Sequence, residues 1–68
     1  MKKNEYGFTI EGSIHNRLGQ QIDKTLIPAY VVAENYREAM AQVLEIAQKI
    51  SEGYFSTEFR FYFRILPE

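Results

Sequence analysis

Apolar and polar residues alternate over 6–15, with Tyr6, Phe8, Ile10, Gly12 and Ile14 on one side and Gly7, Thr9, Glu11, Ser13 and His15 on the other. That period of two predicts a half-buried β-strand. The next five residues, Asn16-Arg17-Leu18-Gly19-Gln20, include an Asn and a Gly that tolerate positive φ, and so predict a hairpin connection. A second strand is expected within Gln21–Ala33, densest from Thr25, because Leu26, Ile27, Tyr30, Val31 and Val32 are β-favouring types. Pro28 interrupts this run. A proline donates no ladder hydrogen bond, so either the strand lies at a sheet edge with Pro28 facing outward, or a bulge sits there.

From Asn35 the period changes. Tyr36, Ala39, Met40, Val43, Ala47 and Ile50 recur at three- and four-residue steps as an apolar stripe flanked by Leu44 and Ile46, with Glu38, Gln42, Glu45 and Lys49 opposite. Asn35 stands three residues before Glu38, the spacing at which its side chain accepts from a free first-turn amide, so the helix is predicted to begin there. Gly53 is the predicted stop. Glu45 and Lys49 are spaced for a helix-surface ion pair. The last strand is predicted over 55–66: Phe59, Phe61, Phe63 and Ile65 alternate with Glu58, Arg60, Tyr62, Arg64 and Leu66 until Pro67.

The order ββαβ predicts an α+β domain, a three-stranded antiparallel-type sheet with one helix packed on one face. The Phe-rich side of the last strand, with Tyr6, Phe8, Ile10 and Ile14, is the expected lining under the helix. The other face has no cover in this chain. If Val31 and Ala33 point to the helix, as the short run into Asn35 indicates, then Leu26, Pro28, Tyr30 and Val32 point away, beside Glu11, Ser13, His15, Arg60, Tyr62 and Arg64. Leu26, Tyr30, Val32 and Tyr62 are then expected to form a connected apolar patch where a face meant for water alone would be polar. Tyr and Arg, as at Arg60, Tyr62 and Arg64, are enriched at protein interfaces. In the alternative register, a bulge at Pro28 turns Leu26, Tyr30 and Val32 inward and exposes Ile27 and Val31, leaving the second-strand edge as the template for association.

Composition narrows the classes. Sixty-eight residues without repeats or linkers suit one domain over 1–68, with 1–5 as a flexible N-terminal tail. A chain this short hides only roughly 60% of the surface it would expose unfolded, so a partner or second copy is a natural source of further burial. The 46% hydrophobic fraction excludes a disordered chain. Eight Lys and Arg against nine Asp and Glu give a net charge of -1, which is not the basic footprint of a typical nucleic-acid binder. Zero Cys excludes disulfides, thiolate catalysis and cysteine-based zinc sites, and fits a reducing compartment. With no apolar run of signal-peptide or membrane-span length, the expectation is a soluble, cytoplasmic protein without a membrane partner.

Catalytic chemistry finds little to build on. His15 is the only histidine, so no His-His or His-Cys metal set forms within one chain, and beside the turn residue Asn16 it reads as a solvated strand-end residue. Asp23 is the only aspartate, and the glutamates are spread along the helix exterior and strand ends. Ser13 shares a strand side with His15 but has no orienting acid and no nucleophile elbow. No catalytic residue, metal ligand or cofactor is predicted.

In outline, a short cysteine-free ββαβ chain resembles small accessory and inhibitor proteins of phages and mobile elements. That resemblance implies a dimer that blocks a host nuclease, repair or defence enzyme. Phe8-Thr9-Ile10-Glu11-Gly12 and Val31-Val32-Ala33-Glu34-Asn35, with Glu38-Ala39, also resemble a small ribosomal-protein arrangement of the eukaryotic and archaeal large subunit. There a strongly basic balance supports rRNA binding, and this chain lacks it. The expectation is a non-enzymatic protein–protein interaction module, a homodimer with a host protein as a further target. It would act through Leu26, Tyr30, Val32, Arg60, Tyr62 and Arg64. The alternative is a single-stranded nucleic-acid or RNA binder that stacks and grips with the Arg60-Tyr62-Arg64 row.

Overall fold

A computed structural model describes residues 2–54 and 58–68. The elements run β1 (Asn4–His15), β2 (Gln21–Ala33), α1 (Tyr36–Gly53) and β3 (Arg60–Pro67). The antiparallel sheet has the order β2-β1-β3, so the ββαβ, α+β architecture is the observed one and β1 is its central strand. Strand β1 starts earlier than the alternation indicates, since Asn4 and Glu5 pair with Ala33 and Val32. The expected tail over 1–5 therefore loses its last two residues to the sheet. Both are exposed and polar, and main-chain pairing leaves no mark on a hydrophobic pattern.

The hairpin connection is held by Asn16. Its side chain accepts from the amides of Leu18 and Gln20, each at 3.0 Å, and Gly19 takes the left-handed φ of 84° that the turn requires. The ladder is regular through Pro28, which faces Thr9, and its one irregularity lies at Ile14/His15. A bulge at Pro28 is thus excluded. The amide of Glu68 donates to the Gly7 carbonyl at 3.1 Å, so odd-numbered β1 residues turn their main chain toward β3. Opposite Thr9, Pro28 then directs its nitrogen to the outer edge of β2, where a missing N–H costs the ladder nothing.

Helix α1 begins as the sequence indicates. The Glu38 amide donates to Asn35 Oδ1 at 2.9 Å, and the Glu38 carboxylate reaches back to the Glu34 amide at 3.2 Å. Its end differs. Gly53 stays inside the helix with no positive φ, and Tyr54 closes it by donating its amide to Ser51 O at 3.1 Å. The last strand also starts later than predicted, at Arg60. Phe59 lies before it and is exposed instead of lining the core, while residues 55–57 fall outside the described residues.

The core consists of Phe8, Ile10, Ala29, Val31, Ala33, Ala39, Val43 and Ala47. Four of these are alanine, which lets α1 lie close to the sheet but buries little area per residue. Phe63, Ile65, Met40 and Ile50 pack on this core while staying half-buried. Twelve- and thirteen-residue strands reach roughly 40 Å at about 3.3 Å per residue, whereas 18 helical residues reach roughly 27 Å. The helix therefore cannot cover the full hairpin, and the molecule is elongated at 48 × 19 × 13 Å.

Candidate interaction face

Cross-strand register fixes which side chains share the face turned from the helix. Reading across β2, β1 and β3, the rows are Tyr30–Gly7 (with Glu68 beyond it), Pro28–Thr9–Leu66, Leu26–Glu11–Arg64 and Lys24–Ser13–Tyr62. His15 follows, between Gln21 and Arg60. Val31 and Ala33 are buried under α1, which sends Leu26, Tyr30 and Val32 outward at 60%, 61% and 53% exposure. Tyr62 is 57% exposed on β3. None of the four lies beneath the helix.

They do not form a single patch. Leu26, Pro28, Tyr30 and Val32 make one unbroken apolar row along β2, with Leu66 beyond Thr9. Between that row and Tyr62 stands a charged cluster that the sequence pattern does not reveal. Arg64 Nε donates to Glu11 Oε1 at 2.7 Å, and Lys24 Nζ approaches Glu11 Oε2 at 3.3 Å. The Arg64 hydrogen bond, with Lys24 beside it, holds the Glu11 carboxyl below its ordinary pKa against the opposing effect of burial. Tyr62 instead joins His15, whose ring meets it edge-on at a centroid distance of 5.1 Å. His15 does end β1 as expected, but it is only partly solvated: Tyr62 packs against its ring, and its Nδ1 is buried without a hydrogen-bond partner.

Gly7 has a positional role that alternation could not disclose. A Cβ there would sit 2.6 Å from Glu68 Oε2 and 3.1 Å from Tyr30 Cε1. The bare backbone lets Tyr30 cross β1 and donate its hydroxyl to Glu68 Oε1 at 3.3 Å. This places a polar contact within the β2 apolar row, at Tyr30, with Val32 beyond it.

The two sheet edges differ. Along β2, Pro28 removes one outward donor, and Gln42 Nε2 caps the outward carbonyl of Val32 at 3.2 Å. The outer main-chain groups of β3 belong to Phe61, Phe63 and Ile65, because the even-numbered residues pair with the odd-numbered ones of β1. Among the described residues no side chain or loop hydrogen-bonds to these three. The second-strand edge, the template expected in the alternative register, is thus the more obstructed of the two.

A shallow polar groove of about 520 Å³ at the hairpin end is lined by His15, Asn16, Arg17, Gly19, Arg60 and Tyr62. Among the described residues no polar or charged side chain is fully buried, and no three His, Asp or Glu side chains converge as metal ligands would. No helix among them is long and apolar enough to cross a membrane. Compared with known protein families, with curated proteins and with solved structures, the chain shows no significant match.

Proposed function

We propose that this protein is a non-enzymatic protein-binding module that works by presenting its uncovered sheet face, in the manner of an inhibitor that covers a partner's surface instead of transforming a substrate. The observation that carries this reading is the outward row Leu26-Pro28-Tyr30-Val32, three of whose members are large, apolar and more than half exposed. Solvation alone gives no reason for such a row on a short chain whose other outward positions are mostly polar or charged. Tyr62 and the Arg64–Glu11 pair supply the directional groups that set orientation at a protein interface.

The nucleic-acid alternative has less support. Its Arg60-Tyr62-Arg64 row requires free guanidinium groups for phosphate, whereas Glu11 holds Arg64 and also draws in Lys24. What favours it is the groove at the hairpin end, which brings Arg17 and Arg60 to one site.

The test compares specific protein capture by the natural chain and by a Leu26→Asp/Tyr30→Asp variant, alongside a titration with single-stranded oligonucleotide at low salt. The protein-binding reading expects capture lost in the variant and no oligonucleotide binding. Capture indifferent to both substitutions, or salt-sensitive oligonucleotide binding abolished by Arg60→Ala, contradicts it.

A further inference from the structure

We infer that the first partner of this sheet is a second copy of the chain, joined edge to edge through β3 about a two-fold axis at Phe63. The inference rests on the open-sheet reading above and gives it a defined seam. In that arrangement Phe63 faces the partner's Phe63, and Phe61 faces the partner's Ile65. These are the residues whose main chain points outward, so the pairing makes about six new main-chain hydrogen bonds.

Charge selects this register over its neighbours. An axis at Phe63 sets Tyr62 opposite the partner's Arg64 and Arg60 opposite the partner's Leu66. Each guanidinium then meets an aromatic or aliphatic side chain, and Tyr62–Arg64 at a close non-hydrogen-bonded site is a favourable cation–π pair. Moving the axis to Tyr62 sets Arg60 against the partner's Arg64. Moving it to Arg64 sets two Arg64 side chains against each other and brings Pro67, which has no N–H, opposite Phe61. An axis at Ile65 also keeps like charges apart, but it leaves Phe61 unpaired and sets Phe63 opposite the partner's Pro67, which has no N–H, so only the Phe63 axis both avoids like charges and pairs Phe61, Phe63 and Ile65 in full.

Packing agrees with this assignment. Gln42 reaches the outer edge of β2, so α1 lies toward that side of the sheet. On the other side, Phe61, Phe63 and Ile65 remain half-buried, and Leu44 is 42% exposed. A two-fold axis normal to the sheet puts both helices on the same face and brings the two half-covered Phe rows together, adding burial that a core half made of alanine lacks. The two open faces become one six-stranded surface.

The chain has no cysteine, so introduced thiols report only the seam under test. A Tyr62→Cys/Arg64→Cys variant places thiols opposite each other across the Phe63 axis. A Leu26→Cys/Tyr30→Cys variant does the same for pairing of β2 edges about Pro28. The inference expects a dimer of the natural chain by sedimentation equilibrium at micromolar concentration, and covalent dimers on oxidation from the first variant but not the second. Tyr62→Lys, which puts like charges opposite one another twice per dimer, should weaken association by about tenfold with circular dichroism unchanged. A dimer that cross-links through positions 26 and 30 alone overturns the β3 seam and leaves the open-face reading standing. A chain that stays monomeric to millimolar concentration overturns the inference and removes self-association from that reading as well.

Discussion

Arg64 Nε lies 2.7 Å from Glu11 Oε1 in the cross-strand pair Glu11–Arg64, and Lys24 reaches the other carboxylate oxygen from β2. One acidic side chain thus bridges all three strands and divides the open face into an apolar row on β2 and an aromatic end at Tyr62 and His15.

Stability should therefore depend on pH through Glu11. Its pKa is lower in the folded chain than the ordinary carboxylate value, chiefly because of the Arg64 hydrogen bond, so folding favours the ionised form. That contribution is fully present above the ordinary range and is lost as pH falls through the depressed value. Thermal unfolding between neutral pH and about pH 3 should show a smaller decline for Glu11→Gln than for the natural chain. Parallel declines would show that the bridge contributes nothing.

Gly12 is filled by a neighbour, not left empty. A Cβ there would fall 2.6 Å from Phe61 Cζ, and the Phe61 ring is stacked on Tyr54 at 4.7 Å. Gly12→Ala should cost about 1–3 kcal/mol in urea unfolding because that ring has to move. At Gly7 the closest neighbour is the flexible tip of Glu68, and Gly7→Ala should cost less. Equal costs would contradict this account of the Phe61 stack.

The cap at Asn35 can be tested separately from tertiary packing. Its side chain satisfies the Glu38 amide at 2.9 Å, so Asn35→Ala should lose about 1 kcal/mol, and Asn35→Asp should lose much less. Chemical denaturation of the three proteins decides the point. A similar loss for both substitutions would indicate that the amide is not capped in solution.

Pro28 guards the β2 edge by withholding a donor. Pro28→Val restores an outward N–H on a long strand that carries Leu26, Tyr30 and Val32, and should add, beyond the β3 dimer, larger concentration-dependent species joined through β2. Sedimentation velocity over a concentration series reads this directly. Unchanged behaviour would mean that Pro28 is not the guard.

Local periodicity carried most of the fold. The alternation at Phe8 and Ile10, the stripe through Ala39, Val43 and Ala47, and the Asn35 cap each depend on neighbours a few residues away and were legible. So was the outward side of β2, because the run Val31-Val32-Ala33 leads straight into the capped helix. Strand order was not legible, since alternation says which face a residue takes and nothing of which strand lies beside it. Without the order β2-β1-β3, Glu11 could not be set against Arg64 and Lys24, nor the edge without side-chain partners among the described residues assigned to β3 in place of β2. Main-chain features escaped for a related reason: the pairing of Asn4 and Glu5 and the closure at Tyr54 leave no side-chain pattern.

Amide hydrogen exchange, resolved by residue and followed at two protein concentrations, tests most directly whether the sheet is completed by a second copy. The account predicts that Phe61, Phe63 and Ile65, whose N–H groups point out of β3, become protected as concentration rises, while Leu26 and Tyr30 on the outer edge of β2 keep exchanging fast. Rapid exchange at Phe61, Phe63 and Ile65 at every concentration would contradict it.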